Sequence, residues 1–259
     1  MPNKLKYTFD DYINNPSGKG SGVVSIPREM IRDSMVTQLT SLESKKGKIK
    51  YTIVKSGDGK LYYIDFKIPS ESTNNFYYDV VIEFSTKSIV SENTIKDYNV
   101  RFFANDPSFV FTYAYTFKTH GLLLSDLENK LPFRSLTQKA NTRNPDNTVG
   151  YVKNIYFAYL IMQRDGLFDK QNLNRLAKIG SLGIISKDIM TYDRHETERK
   201  NLDKKARDGL NPKPTLRHSS MLPSKGLSKG SSTPAITKKS SVTKTVSGSS
   251  KTVKRTKKI

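Results

Sequence analysis

The 259-residue sequence contains no cysteine. A disulfide scaffold, a thiolate metal site and a cysteine nucleophile are therefore excluded, and the composition fits a reducing compartment. Histidine is scarce as well, with only His120, His195 and His218. His195 lacks the second histidine at helical spacing that a zinc protease requires. We therefore predict no metal, no other cofactor and no enzymatic activity.

Long apolar runs are also missing. The longest, Ile155–Met162, is far shorter than the roughly 20 residues that cross a bilayer. The amino end, Met1–Asp11, carries Lys4 and Lys6 but no apolar stretch of the kind found in a secretory signal. We therefore predict that the protein has no membrane partner.

The carboxyl end lacks two whole residue classes. No Phe or Tyr follows Tyr192, and no Asp or Glu follows Asp208. A segment without aromatic side chains, rich in Ser, Thr, Lys, Gly and Pro, buries too little apolar surface. It cannot offset the roughly 1–2 kcal/mol per residue that backbone ordering costs. We therefore predict a disordered basic tail over residues 209–259.

The tail is the predicted nucleic-acid-binding element, because flexible cationic chains follow phosphates and release their counterions. Its charge comes from ten lysines and two arginines: Lys213, Arg217, Lys225, Lys229, Lys238, Lys239, Lys244, Lys251, Lys254, Arg255, Lys257 and Lys258. The tail has no geometry for reading bases, so we expect sequence-independent binding. DNA is the expected partner, although nothing in the tail distinguishes it from RNA.

The remaining charge suggests a second basic surface. The formal net charge is +20, so the part of the chain before the tail keeps +8. We therefore expect a fixed basic surface beside the tail. A solvated tether, or a tail that binds an acidic protein, remains the alternative for the tail itself.

The chain before the tail has the composition of an α+β protein with a helical carboxyl-terminal half. Glycines and Pro16 indicate a flexible amino-terminal arm, whereas the later residues contain enough large apolar side chains for a core. The predicted organisation is an arm over 1–25, a globular α+β domain over 26–192, a charged helix or linker over 193–208, and the tail over 209–259.

An antiparallel sheet of about four strands is predicted in the first half of the globular domain. A helix is expected to begin near Pro27, and the strands follow it at Lys48–Lys55, Leu61–Ile68, Tyr77–Phe84 and Tyr98–Phe103. Asp58-Gly59 between the first two strands is a strong hairpin signal, because Asp-Gly tolerates positive φ.

Helices are predicted in the second half. Aromatic residues at every second position from Phe109 to Phe117 fit either a strand or a helix, and helix is favoured because Asp106-Pro107-Ser108 resembles a helix start. Later helices are expected at 125–131, along the apolar stripe of 152–160, at 169–178 and from Ser186 onward. We expect the aromatic row to fill the core rather than to stack on bases.

Two candidate catalytic or phosphate-binding patterns occur. Gly18-Lys19-Gly20-Ser21-Gly22 has the composition of a phosphate loop but not its order, and no strand precedes it. Asp65-Phe66-Lys67 resembles the half-motif of restriction-endonuclease-like nucleases, in which an acid and a lysine hold Mg²⁺ and orient a water. The nearest upstream acid is Asp58, in the hairpin turn, so a Mg²⁺-dependent nuclease is kept only as an alternative.

Four segments resemble, taken together, a group of largely uncharacterised proteins encoded by tailed bacteriophages of Gram-positive hosts. They are Asp11–Gly20, Tyr77–Ile82, Asn105–Phe109 and Gly150–Leu160. The resemblance covers about residues 11–168 and brings no catalytic residues with it. It implies a phage context, with other virion proteins as partners and the virion or the host cytoplasm as location.

The sequence thus favours a non-enzymatic structural or nucleic-acid-associated protein. We expect it to be a virion component, in the capsid or at the neck, whose tail contacts DNA or an acidic partner. Besides the nuclease, the alternative is an assembly protein whose tail becomes ordered on a protein partner. The oligomeric state stays open.

Overall fold

A computed structural model describes residues 7–14, 28–87, 93–145, 147 and 149–210. These residues form an α+β fold, as predicted. The strands are β1 (Lys50–Lys55), β2 (Leu61–Pro69), β3 (Tyr77–Ser85), β4 (Asn99–Ala104) and β5 (Lys178–Ile179). The α-helices are α1 (Phe9–Asn14), α2 (Arg28–Lys46), α3 (Ala114–Thr119), α4 (Phe133–Thr137), α5 (Lys153–Arg164), α6 (Lys170–Leu176), α7 (Gly183–Ser186) and α8 (Tyr192–Leu210).

The sheet has the strand order β4-β3-β2-β1-β5. Strands β1 to β4 are antiparallel neighbours, which confirms the predicted four-stranded sheet. The predicted turn joins β1 to β2, with Gly59 at φ +68° and Asp58 Oδ1 accepting from Lys60 N. Strand β5 pairs parallel to the end of β1 and was not predicted, because two residues carry no readable periodicity.

One face of the sheet packs on α1 and α5 through an aromatic cluster. The ring of Phe9 lies 5.3 Å from that of Phe102 and 5.1 Å from that of Tyr159, measured between centroids. Phe9 and Tyr12 are fully buried. The Tyr12 hydroxyl donates to Gly150 O and accepts from Val152 N, which ties α1 to the start of α5.

Helix α1 lies inside the segment expected to be a flexible arm, so that expectation is wrong for Phe9–Asn14. Phe9, Tyr12 and Ile13 follow helical spacing and are buried, which gives six residues a large apolar contact. Thr8 and Asp11 cap the helix reciprocally, since Thr8 N donates to Asp11 Oδ2 and Asp11 N donates to Thr8 Oγ1. Residues 15–27, with the glycine-rich motif, lie outside the described residues.

The aromatic row is helical, as favoured. A π-helical turn, Phe109–Tyr113, runs directly into α3. Phe109 and Phe117 are fully buried and Phe111 is exposed, so most of the row fills the core. The predicted helix at 125–131 is a 3₁₀-helix over Ser125–Lys130.

The segment after α6 continues along the edge of the sheet into the last helices. Asp169 caps α6 by accepting from Asn172 N, as predicted, but α6 ends at Leu176 where the chain enters β5. The long charged helix was expected from Ser186 and begins instead at Tyr192. Ser186 ends the short α7, and buried Ile185 and Ile189 hold this segment on the fold. Across the described helices, none is long and apolar enough to cross a membrane.

Candidate nucleic-acid interface

The twelve predicted binding residues of the tail all lie between 211 and 259, outside the described residues. The structure therefore bears on the surface from which the tail departs. Helix α8 ends at Leu210, so α8 and the elements beside it define that surface.

A lysine segment lies where α2 ends. Lys45, Lys46, Lys48 and Lys50 occupy four of six consecutive positions. Gly47 ends the helix at φ +85°, a conformation that glycine adopts without strain, and its N–H donates to Glu43 O. Lys45, Lys48 and Lys50 are exposed, and none of the four lysines is paired with a carboxylate in the part of the chain that the structure describes.

The nearest carboxylate in the sequence does not neutralise these lysines. Glu43 Oε2 lies 2.6 Å from Arg164 Nη1, and Glu43 Oε1 accepts from Ile49 N. Its charge is therefore directed at α5 and at the backbone. The positive charge of the lysine segment is therefore not offset by Glu43 and is available to attract an anion.

Lys45 and Lys46 also line a cleft of about 320 Å³ against the β2–β3 loop. We call it the cationic cleft, and its lining residues are Lys45, Lys46, Pro69, Thr73, Asn74, Asn75, Phe76 and Tyr77. The Lys46 ammonium donates to Asn74 Oδ1. The loop is held by its own hydrogen bonds, from Ser70 N to Phe76 O and from Thr73 N to Ser70 Oγ. Asn75 adopts φ 57°, which asparagine tolerates better than most residues.

Tyr77 gives the cationic cleft an aromatic edge. Its side chain is 47% exposed, whereas neighbouring Phe76 is buried. Proteins that bind single-stranded nucleic acid without sequence preference use this combination. Their exposed aromatic rings stack on unpaired bases, and their lysines bind the phosphate backbone. The arrangement presents phosphate-binding donors and a stacking face.

Helix α8 is fixed at two residues that line the cationic cleft, Thr73 and Tyr77. Thr73 Oγ1 donates to Asp203 Oδ1 at 2.8 Å, and His195 Nε2 donates to Tyr77 O at 2.8 Å. The His195 ring is buried and lies 4.3 Å from the Phe76 ring. From Asp203 the helix continues for roughly 10 Å to its end at Leu210. The tail is thus joined to a helix that is anchored beside the cationic cleft.

The candidate nuclease residues form a buried charge network on β2 and β3. Lys67 Nζ lies 3.0 Å from Asp65 Oδ2 and also contacts Asp79 Oδ1. Asn105 Nδ2 donates to Asp79 Oδ2, and Asp79 N donates to Asn105 Oδ1. Burial raises the pKa of Asp65 to about 7, because one lysine shared by two carboxylates does not offset the desolvation.

This network contains Asp79 from β3 but lacks the upstream acid that the nuclease hypothesis requires. Asp58 lies in the exposed turn, where it accepts from Ser56 Oγ and Lys60 N. The chain between Asp58 and Asp65 is mostly extended strand, which spans roughly 20 Å. No group of three His, Asp or Glu side chains suited to a metal ion occurs within the described ranges. The geometry favours a structural role for Asp65 and Lys67.

The cationic cleft was not predicted from the sequence. Its signal was visible in part, since four lysines in six residues with no acid among them is a local charge excess. The approach of Asn74 and Tyr77 to α2 is tertiary and leaves no mark in the sequence. The burial of His195, within a helix dense in charge, was equally hidden.

Comparisons with known proteins add no family to this description. No protein-family model, no curated protein and no solved structure matches the chain significantly. The phage resemblance therefore stays a prediction from the sequence, and any function must rest on the residues of the candidate site and of the tail.

Proposed function

We propose that the protein is a non-enzymatic, nucleic-acid-associated protein that holds a polyanion through two cationic elements. The first is the basic tail, and the second is the lysine segment with the cationic cleft. The observation that carries the proposal is that Lys45 and Lys46 keep their charge beside the loop to which α8, and hence the tail, is attached.

The two elements support each other through their attachment. A tail that has captured a nucleic acid raises the effective concentration of that nucleic acid at a site to which the tail is tethered. The tail supplies reach and most of the charge, whereas the cationic cleft supplies a fixed surface. Because phosphate contacts carry no sequence information, the complex is expected to form on any sequence.

The biological setting that we propose is a phage particle, in the capsid or at the neck, with other virion proteins as neighbours. This part of the proposal comes from the sequence resemblance. Mass spectrometry of particles purified from the source would test it, and absence of the protein from intact particles would remove the virion role.

Fluorescence anisotropy with two unrelated labelled duplexes tests the binding function. The full chain should bind both equally and should lose affinity as salt is raised, whereas a chain that ends at Leu210 should lose most of the affinity. An assembly protein without nucleic-acid function would bind neither duplex. Plasmid cleavage in Mg²⁺ that Asp65→Ala abolishes would establish the nuclease alternative instead.

A further inference from the structure

The outer edge of β1 is only partly covered. Strand β5 pairs with β1 at Val54 and Lys55 alone. The bond from Ser56 N to Leu61 O fixes the alternation along β1, so that Val54, Thr52 and Lys50 direct their backbone groups to β2. Tyr51 and Ile53 direct theirs outward, on the side where Lys55 O accepts from Gly180 N.

The outward groups before β5 form a short open edge. The parallel bridge of Val54 with Lys178 occupies the C=O of Ile53. The N–H groups of Tyr51 and Ile53 and the C=O of Tyr51 pair with no backbone group among the described residues. A groove of about 190 Å³ runs beside them, lined by Tyr51, Thr52, Ile53, Leu176 and Lys178. An open strand edge is a template on which another extended chain can add.

The side chains around the edge are apolar and cationic. Leu176, which lines the groove, is 47% exposed, so an incoming strand would find an apolar contact. Lys178, Arg175 and Lys50 are exposed around the same edge. The Asp165 carboxylate, which interacts with Tyr51, is paired with Arg164.

We propose that this edge docks an extended acidic segment of another protein, which adds as a strand beside β1. The charge selects this occupant. Two copies paired through their β1 edges would bring the lysines of both copies together, and the chain's own cationic tail would be repelled likewise. Alternating acidic and apolar residues would place carboxylates near Lys178 and Lys50 and an apolar side chain on Leu176. This site shares Lys50 with the lysine segment, but the proposal does not rest on the proposed nucleic-acid function.

The test uses the full chain and a labelled, end-blocked peptide of three Glu-Val repeats. Its matched control is the same peptide with the glutamate amides N-methylated, and a second control is methylated at the valines. All three peptides have the same charge, so the basic tail should bind them equally. In a strand added to β1, either the glutamate amides or the valine amides face the edge and pair with it. Methylation of the amides that face the edge removes this pairing, so that one of the two methylated peptides should bind at least roughly tenfold more weakly than the unmethylated peptide.

Amide hydrogen exchange locates the contact. The unmethylated peptide should protect the amides of Tyr51 and Ile53 and leave that of Thr52, already paired to β2, unchanged. Lys178→Glu should weaken binding, and Lys187→Glu, at another exposed lysine, should not. Equal affinity for all three peptides would overturn the proposal. So would protection of Tyr51 and Ile53 in the free protein together with a dimer in light scattering.

Discussion

The hydroxyl of Thr73 donates a 2.8 Å hydrogen bond to the carboxylate of Asp203, across 130 positions of the sequence. Thr73 lines the cationic cleft, and Asp203 lies on the helix that leads into the tail. Asp203 also pairs with Arg199 at 3.3 Å, which holds its carboxylate in place. The bond therefore joins a fixed cationic surface to the helix from which the basic tail departs.

Loss of this bond should loosen the end of α8. In Thr73→Val the Asp203 carboxylate loses a donor at similar side-chain volume, which should cost about 1 kcal/mol of unfolding free energy. Hydrogen exchange should accelerate in the α8 amides after Asp203 while the amides of β2 and β3 stay protected. Thr197→Val is the control, because Thr197 Oγ1 bonds only within the helix, to Asp193 O. Unchanged exchange in α8 would show that the anchor lies elsewhere, at His195.

Tyr77 should matter for unpaired bases and little for duplexes. Tyr77→Ala removes the exposed ring and should cost roughly 1–3 kcal/mol of binding free energy on single-stranded DNA, because each base stacked on an aromatic ring contributes about that amount. Tyr77→Phe keeps the ring and should bind as the parent does. Anisotropy with single-stranded and duplex probes of equal length measures the difference, and an equal loss on both would exclude stacking.

The buried and the exposed ion pairs should differ sharply in their contribution to stability. Glu83 is almost fully buried and receives a bidentate contact from Arg101, whereas Lys153 and Glu71 pair in solvent. Arg101→Met leaves a buried carboxylate without its cation and should cost about 3 kcal/mol of unfolding free energy. Lys153→Met should cost about 0–1 kcal/mol. Urea denaturation measures both, and similar costs would contradict the assigned burial.

Asp65 should make stability depend on pH in the direction opposite to that of a typical salt-bridged aspartate. Its pKa is raised to about 7 in the folded protein, against about 3.9 in the unfolded chain. The folded state therefore keeps the proton between these values, and the unfolding free energy falls as pH rises through that window. Asp65→Asn should remove this part of the fall.

Urea denaturation of the parent and of Asp65→Asn at pH 4 and pH 8 checks the sign. Relative to the parent, the variant should be more stable at pH 8 than at pH 4. Asp188→Asn is a control, because Asp188 acts on Asp65 only as a minor nearby charge. Parallel pH curves for the parent and Asp65→Asn would show that Asp65 ionises normally in the fold.

The sheet was predictable because its signals are local. Alternation in β1, the runs rich in β-branched and aromatic residues in β2 to β4, and the Asp58-Gly59 turn indicate strands and one hairpin without tertiary information. Helix α1 was not predicted, because a six-residue segment beside a glycine-rich one has the sequence character of a flexible arm. Its stability comes from tertiary packing, such as that of Phe9 on Phe102. The row from Phe109 to Phe117 fitted two periods at once. In the fold Phe109, Tyr113 and Phe117 are buried and Phe111 is exposed, which is the helical period.

The candidate site was less predictable than the sheet. The tail's charge is plain in the sequence, and the net charge of the remaining chain suggested a second basic surface. The position of that surface could not be predicted, because the cationic cleft depends on a tertiary hydrogen bond from Lys46 to Asn74, 28 positions later in the sequence. The anchoring of α8 depends on His195, whose burial among Phe76 and Tyr78 no local pattern reports.

The most direct test of the account is the salt dependence of duplex binding in matched proteins. The slope of log affinity against log salt falls in magnitude by about 0.9 for each phosphate that the protein no longer neutralises. Replacing Lys45, Lys46 and Lys48 by alanine should lower this magnitude by about 2–3, and a chain ending at Leu210 should show a far larger decrease. Alanine at three other exposed lysines, Lys96, Lys139 and Lys187, is the control and should leave the slope unchanged. An equal slope for the parent, the cleft variant and the shortened chain would contradict the account.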